Sequence, residues 1–177
     1  MSSRWLSVFS VCLLAACASG VQRHDDPERR VSYFSGGGQV AQEVTISLSK
    51  EAHAKLADNL KFDQEKLLGT VRRALDAKGL LAKSPDPKLP RIEIVVTDIR
   101  ARSTFSAVMF GFMAGDDRVA GEVIARTADG KEIQRFNVSA SYALGGFAGG
   151  QEEARMNWLY ETFAQHTVDE LTGAKRP

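Results

Sequence analysis

Residues 91–100 read RIEIVVTDIR. Ile92, Ile94, Val95, Val96 and Ile99, bounded upstream by Pro90, predict a strand largely buried on both faces. Such a strand needs partners on either side, and the sequence supplies them. Upstream, EVTISL at 43–48 alternates polar and apolar residues, as a half-buried strand does. Between the two, Asp63 stands as an N-cap before Leu67, Leu68, Val71 and Leu75 at helical spacing, and Gly79 falls where a helix C-terminus requires positive φ. A strand–helix–strand unit makes a parallel pair with a right-handed crossover. Downstream, 119–127 and 131–142 are two more strands, and Asp129-Gly130 between them is a hairpin signal. Residues 151–172 form an amphipathic helix with Met156, Leu159, Tyr160, Phe163 and Leu171 on one stripe. The expected fold is α+β, a two-layer sandwich in the order β-α-β-β-β-α: a four-stranded mixed sheet with two helices on one face.

In that order the loops 101–118 and 143–150 leave the sheet at the same end. Their composition is also alike, GFMAG at 111–115 beside GFAG at 146–149. Glycines ahead of a helix can cradle a phosphate on free N–H groups. Here no Lys-Ser/Thr follows them, GGFAGG does not fit the spacing of a dinucleotide loop, and Glu152 and Glu153 in the first helical turn repel an anion. The G-x-x-x-G spacings lack the apolar span of ~20 residues in which that motif packs membrane helices. Nucleotide binding is therefore not expected. The glycines read as loop positions that let backbones approach closely.

The N-terminus assigns the compartment. In MSSRWLSVFSVCLLAACASG, Arg4 precedes an apolar run from Trp5 to Ala16, shorter than a membrane-spanning helix and of signal-peptide length. Leu14-Ala15-Ala16-Cys17 resembles the lipobox of bacterial lipoproteins. That resemblance implies cleavage between Ala16 and Cys17, a diacylglycerol on the Cys17 thiol and an acylated amine, carrying chains such as palmitate. With ~0.8 kcal/mol per buried methylene, several chains anchor a protein stably. No cofactor is expected apart from this covalent lipid. The 2 cysteines are Cys12, within the removed segment, and Cys17, so none remains for a disulfide, a metal thiolate or a nucleophile. Ala18 and Ser19 lack the acidic residue that retains lipoproteins at the inner membrane, which favours the outer membrane, facing the periplasm.

The chain of 177 residues suits one domain plus extensions. The expected division is signal peptide 1–16, lipidated cysteine and flexible tether 17–42, and a single domain 43–177. Val31, Tyr33 and Phe34 can dock on that domain. Loss of Arg4 leaves 22 basic against 22 acidic residues, so no field for nucleic acid exists.

Catalytic constellations are poor. His24, His53 and His166 are scattered, with neither H-E-x-x-H nor G-x-S-x-G spacing, and no metal or catalytic residue is nominated. Asp98, Arg100 and Arg102 at strand spacing share one face and read either as an ion-paired solvated surface or as a polar ligand face. Phe105, Phe110, Phe112, Met113 and Phe147 read either as caps of the core or as an exposed docking patch for an envelope protein. Asp116 and Asp117 argue against that patch entering a bilayer.

With the lipobox, PRIEIVVTDIRARS, MFGFMAGDDR and ALGGFAGG, the chain resembles a group of uncharacterised Gram-negative envelope lipoproteins over roughly 89–171 and the anchor. The resemblance implies processing and location and brings no catalytic residue. The expectation is a non-enzymatic interaction or assembly-accessory module with an envelope protein partner. The alternative is a binding module for a cell-wall glycan or small envelope ligand.

Overall fold

Residues 19–23, 33–34, 40–84, 86–103, 105–106, 109, 115–143 and 151–174 are described by the computed structural model of the chain. One mixed sheet contains β1 (Gly20–Arg23), β2 (Glu43–Leu48), β3 (Arg91–Arg100), β4 (Asp117–Arg126) and β5 (Glu132–Tyr142), in the spatial order β1-β5-β4-β3-β2. β2 and β3 are parallel and the other neighbours antiparallel. Helices α1 (Lys50–Ala54), α2 (Gln64–Ala77) and α3 (Glu152–Thr172), with a 3-10 turn at Leu56–Asp58, complete the described elements. The mixed α+β architecture is as expected, but among the described residues the sheet has five strands rather than four and three helices accompany it.

The helix stops and starts follow the sequence closely. The Asp63 carboxylate accepts from the Lys66 amide at 2.9 Å, buried Leu67, Val71 and Leu75 form the inner stripe of α2, and Gly79 takes φ +67 beyond its end. Met156, Leu159, Tyr160, Phe163 and Leu171 of α3 are all buried. The Tyr160 hydroxyl accepts from the Asp63 amide at 2.8 Å, tying α3 to the start of α2. Burial, partly offset by that hydrogen bond and reinforced by the Asp63 charge, pushes Tyr160 up to about 12, so it remains a neutral phenol.

β3 differs from expectation in its outer face. Ile92, Ile94 and Val96 are buried while Glu93 and Val95 alternate outward, and a bulge between Val96 and Asp98 returns Ile99 to the interior. The helices cover only one face, so the strand is buried on one side only. Its other side lies among charged side chains. On that open face Ile124 is only 5% exposed, with Arg135 as its partner across the strands, an arrangement in which arginine stems cover apolar surface. α3 packs tightly on the sheet at Gly121, where an added Cβ would come within 3.0 Å of the Val95 carbonyl and 3.3 Å of the Phe163 ring.

The fifth strand comes from the segment expected to be tether. β1 pairs with β5 from Gly20↔Ser139 to Arg23↔Phe136. The Ser19 hydroxyl accepts from the Ser141 amide at 2.7 Å and donates to its carbonyl at 3.1 Å. Arg23 donates to Glu170 of α3 at 3.0 Å. Phe34 is buried in the core, with the Tyr33 ring edge-on at 5.1 Å. The physical reason is a vacancy beside β5: without β1, one row of its backbone groups would lack ladder partners. At the opposite edge, Arg72 and Gln64 of α2 donate to the Val44 and Ile46 carbonyls of β2 at 3.3 and 3.0 Å.

If the 33–34 segment is core, Phe34→Ala lowers unfolding stability by about 3–5 kcal/mol. Urea titration of the purified domain checks this; a loss below ~0.5 kcal/mol, as for an ordinary surface position, would contradict it.

Candidate functional site

Three chain segments meet at the end of the sheet from which the 101–118 and 143–150 loops depart. Arg102 lies just beyond β3, Asp117 begins β4, and Arg155 sits in the first turn of α3. Their side chains are 2%, 1% and 2% exposed. Asp117 Oδ2 accepts from Arg102 Nη2 at 3.0 Å and from Arg155 Nε at 2.8 Å, while Asp117 Oδ1 accepts from the Arg102 amide at 2.6 Å. Arg102 further donates to the carbonyls of Gly115 at 2.7 Å and Tyr142 at 3.0 Å, and Arg155 to the carbonyl of Arg102 at 2.8 Å. Two guanidinium groups thus share one buried carboxylate, and peptide carbonyls supply further acceptors. Removing three charges from water costs several kcal/mol each, and such a cluster persists only with extensive hydrogen bonding. Its effect is to clamp the flanks of both loops together.

The sequence carried two signals for this cluster. Asp117 occupies the same alternating face as Val119, Gly121 and Val123, and Arg155 falls on the i, i+4, i+8 stripe of Leu159 and Phe163. Charges in core register mark a buried partner.

Asp98, Arg100 and Arg102 do not form one face. Asp98 and Arg100 share the open side of the sheet, whereas Arg102 lies past the strand end and turns inward to Asp117. Asp98 pairs with Lys55 and, at 3.8 Å, with Arg118. Arg100 lies 3.8 Å from Asp116, which also receives Arg118 at 3.0 Å and the Ser141 hydroxyl. Burial, the largest influence on Asp116, raises its pKa. The Ser141 hydroxyl and Arg118 together outweigh it and hold the carboxyl below its ordinary value. The rest of the open face is likewise ion-paired, Arg135 with Glu122 and Glu132, and Arg126 with Glu93.

Phe110, Phe112, Met113 and Phe147 lie outside the described residues, as do Ala16 and Cys17. Phe105 and Met109, from the same loop as Phe112, are 69% and 63% exposed. Among the described residues, the other exposed large apolar side chains are Leu60 and Trp158. Both belong to this end. Asn59 accepts from the Ala101 amide at 2.6 Å, bringing Leu60 beside the end of β3, and Trp158 packs edge-on against Tyr142 at 5.2 Å. A shallow groove of roughly 480 Å³ runs between the starts of α2 and α3, lined by Leu60, Phe62, Lys66, Glu153, Met156 and Tyr160. Lys66 and Glu153 bridge it at 3.3 Å. Among the described residues no group of three His, Cys, Asp or Glu side chains is placed to hold a metal ion. His53 and His166 lie on separate helices.

Asp117→Asn leaves two buried guanidinium groups without their shared charge and costs about 3–5 kcal/mol, measured by urea unfolding. A loss below ~1 kcal/mol would show that the cluster is not a structural clamp. Asp116 adds a pH dependence. Its folded pKa is depressed, so its stabilisation is present above the unfolded value of ~3.9 and fades as pH falls through the folded value. Asp116→Asn therefore flattens the acid limb of the stability curve while leaving its shape near neutrality unchanged.

No curated protein matches the chain. Among solved structures, it is similar to the PelC dodecamer of Paraburkholderia phytofirmans, with 12% identity, 90% of this chain and 100% of that chain covered, and a TM-score of 0.47. It is also similar to a Xanthomonas campestris protein of the DUF330 family, with 12% identity, 76% and 81% covered, and a TM-score of 0.45. Residues 24–146 match the family described as a domain of unknown function, DUF4410, and the chain belongs to that family.

Proposed function

We propose that the chain is a lipoprotein of the bacterial cell envelope, cleaved after residue 16, lipidated on Cys17 and held in the outer membrane facing the periplasm. The observation that carries this reading is Leu14-Ala15-Ala16-Cys17 at the end of a short apolar run, followed by a domain without cysteine. Acylation of Cys17 supplies the hydrophobic area of the anchor; among the described residues no helix is long and apolar enough to cross a membrane.

The domain acts as a non-enzymatic interaction or assembly-accessory module that contacts an envelope protein. Two features support this. The charges of the loop end and open face are engaged with one another in structural pairs, and among the described residues one face of the sheet carries no helix. The loops bearing Phe110, Phe112, Met113 and Phe147 remain candidate contact segments. A second reading uses the polar side chains of the open face. Asp98 and Arg100, with Arg118, Asn137 and Ser139 in neighbouring register, offer donors and acceptors to a cell-wall glycan or small envelope ligand.

Fractionation tests the anchor: Cys17→Ser shifts the folded protein from membranes to the soluble fraction, and persistent membrane association would contradict it. In vivo photocrosslinking from Glu122 on the open face then yields a discrete protein adduct. Absence of any adduct, together with peptidoglycan binding lost on Asp98→Ala, would instead favour the glycan reading.

A further inference from the structure

The anchor and the exposed apolar side chains lie at the same end of the sheet. β1 runs antiparallel to β5, so its first residues stand beside the last residues of β5. Gly20 pairs with Ser139, and Ser19 holds both the amide and the carbonyl of Ser141. Cys17 is two residues before Ser19. Two residues reach at most about 7 Å. A free tether over 17–42 would instead have spanned roughly 25–30 Å and left the domain's orientation open. The strand β1 removes that freedom. Any lipid on Cys17 therefore enters the bilayer beside Tyr142, at the end where Leu60, Phe105, Met109 and Trp158 are exposed.

We propose that this loop end is the bilayer-facing surface of the protein, with Leu60, Phe105, Met109 and Trp158 seated in the headgroup region of the membrane that holds the Cys17 lipid. The proposal rests on the lipid-anchor reading given above and adds the orientation. Apolar and aromatic residues favour this interface, Trp most of all because its ring is apolar and its N–H finds polar partners there. The sequence objection, that Asp116 and Asp117 would meet anionic headgroups, does not hold in the folded chain. Both carboxylates are buried and neutralised, Asp117 by Arg102 and Arg155, and Asp116 by Arg118. The groove beside Leu60 carries Lys61 and Lys66 against Asp63, Glu65 and Glu153, so its lining adds one net negative charge, with the Asp63 carboxylate engaged as the cap of α2. In this orientation the open face of β2 to β5 stands along the membrane normal and stays accessible to partners in the periplasm.

Trp158 provides the test, because the only other tryptophan, Trp5, lies in the segment removed at cleavage. Mature acylated protein is bound to vesicles of phosphatidylethanolamine and phosphatidylglycerol, with and without bromine on the acyl chains. The expected result is loss of Trp158 emission in the brominated vesicles, reduced by the double variant Phe105→Ser, Met109→Ser at unchanged circular dichroism. Protein that floats with the vesicles through Cys17 but shows full Trp158 emission overturns the orientation and leaves the anchor intact. Protein that fails to float overturns both. A protein adduct in cells from a photocrosslinker at position 105, with full emission in vesicles, assigns the surface to a protein partner instead.

Discussion

Asp117 is the point through which the architecture of the loop end is set. Its carboxylate receives Arg102 from beyond β3 and Arg155 from the first turn of α3. These three segments are far apart in sequence, and each leads into or out of one of the two glycine-rich loops. Hydrophobic packing alone would leave the register of such segments loosely specified, since one apolar contact resembles another. A shared buried charge does not: a shift of a single position leaves a guanidinium or a carboxylate unpaired in a dry interior, at a cost of several kcal/mol. Specification of the loop end is thus electrostatic, while specification of the middle of the sheet is apolar, through Ile92, Ile94, Val123, Phe136 and Phe163.

Much of the fold was legible because it obeys local rules. The alternation of 43–48, the cap at Asp63, the turn at Asp129-Gly130 and the stripe of α3 each follow from one period or one backbone requirement, and the chain adopts them within two residues of expectation. β1 was not legible. Gly20–Arg23 has no apolar alternation of its own, and its stability comes from the ladder offered by β5 and from Glu170, far away in the chain. The same holds for Arg102, whose strand spacing from Asp98 and Arg100 suggested a common face. The end of β3 before Arg102 breaks that spacing, and it leaves no trace in composition.

The anchor residue and the candidate loops illustrate a different boundary. The lipidation proposed for Cys17 rests on a short processing pattern and requires no fold, so sequence speaks to it directly. The direction proposed for that lipid depends on strand pairing, which only the folded chain provides. The proposed function therefore divides into an address read from a few residues and an orientation inferred from the sheet.

The capping of β2 by α2 has a consequence for crowding. A protein held in a membrane plane, as proposed for this chain, meets its own copies at high local concentration and in restricted orientations, conditions in which an open sheet edge recruits another strand. In this chain Arg72 and Gln64 occupy the Val44 and Ile46 carbonyls, and the opposite edge, β1, is only four residues long. Both borders of the sheet are blunted against edge-to-edge growth. The helix that builds the core also guards the sheet against fibre formation.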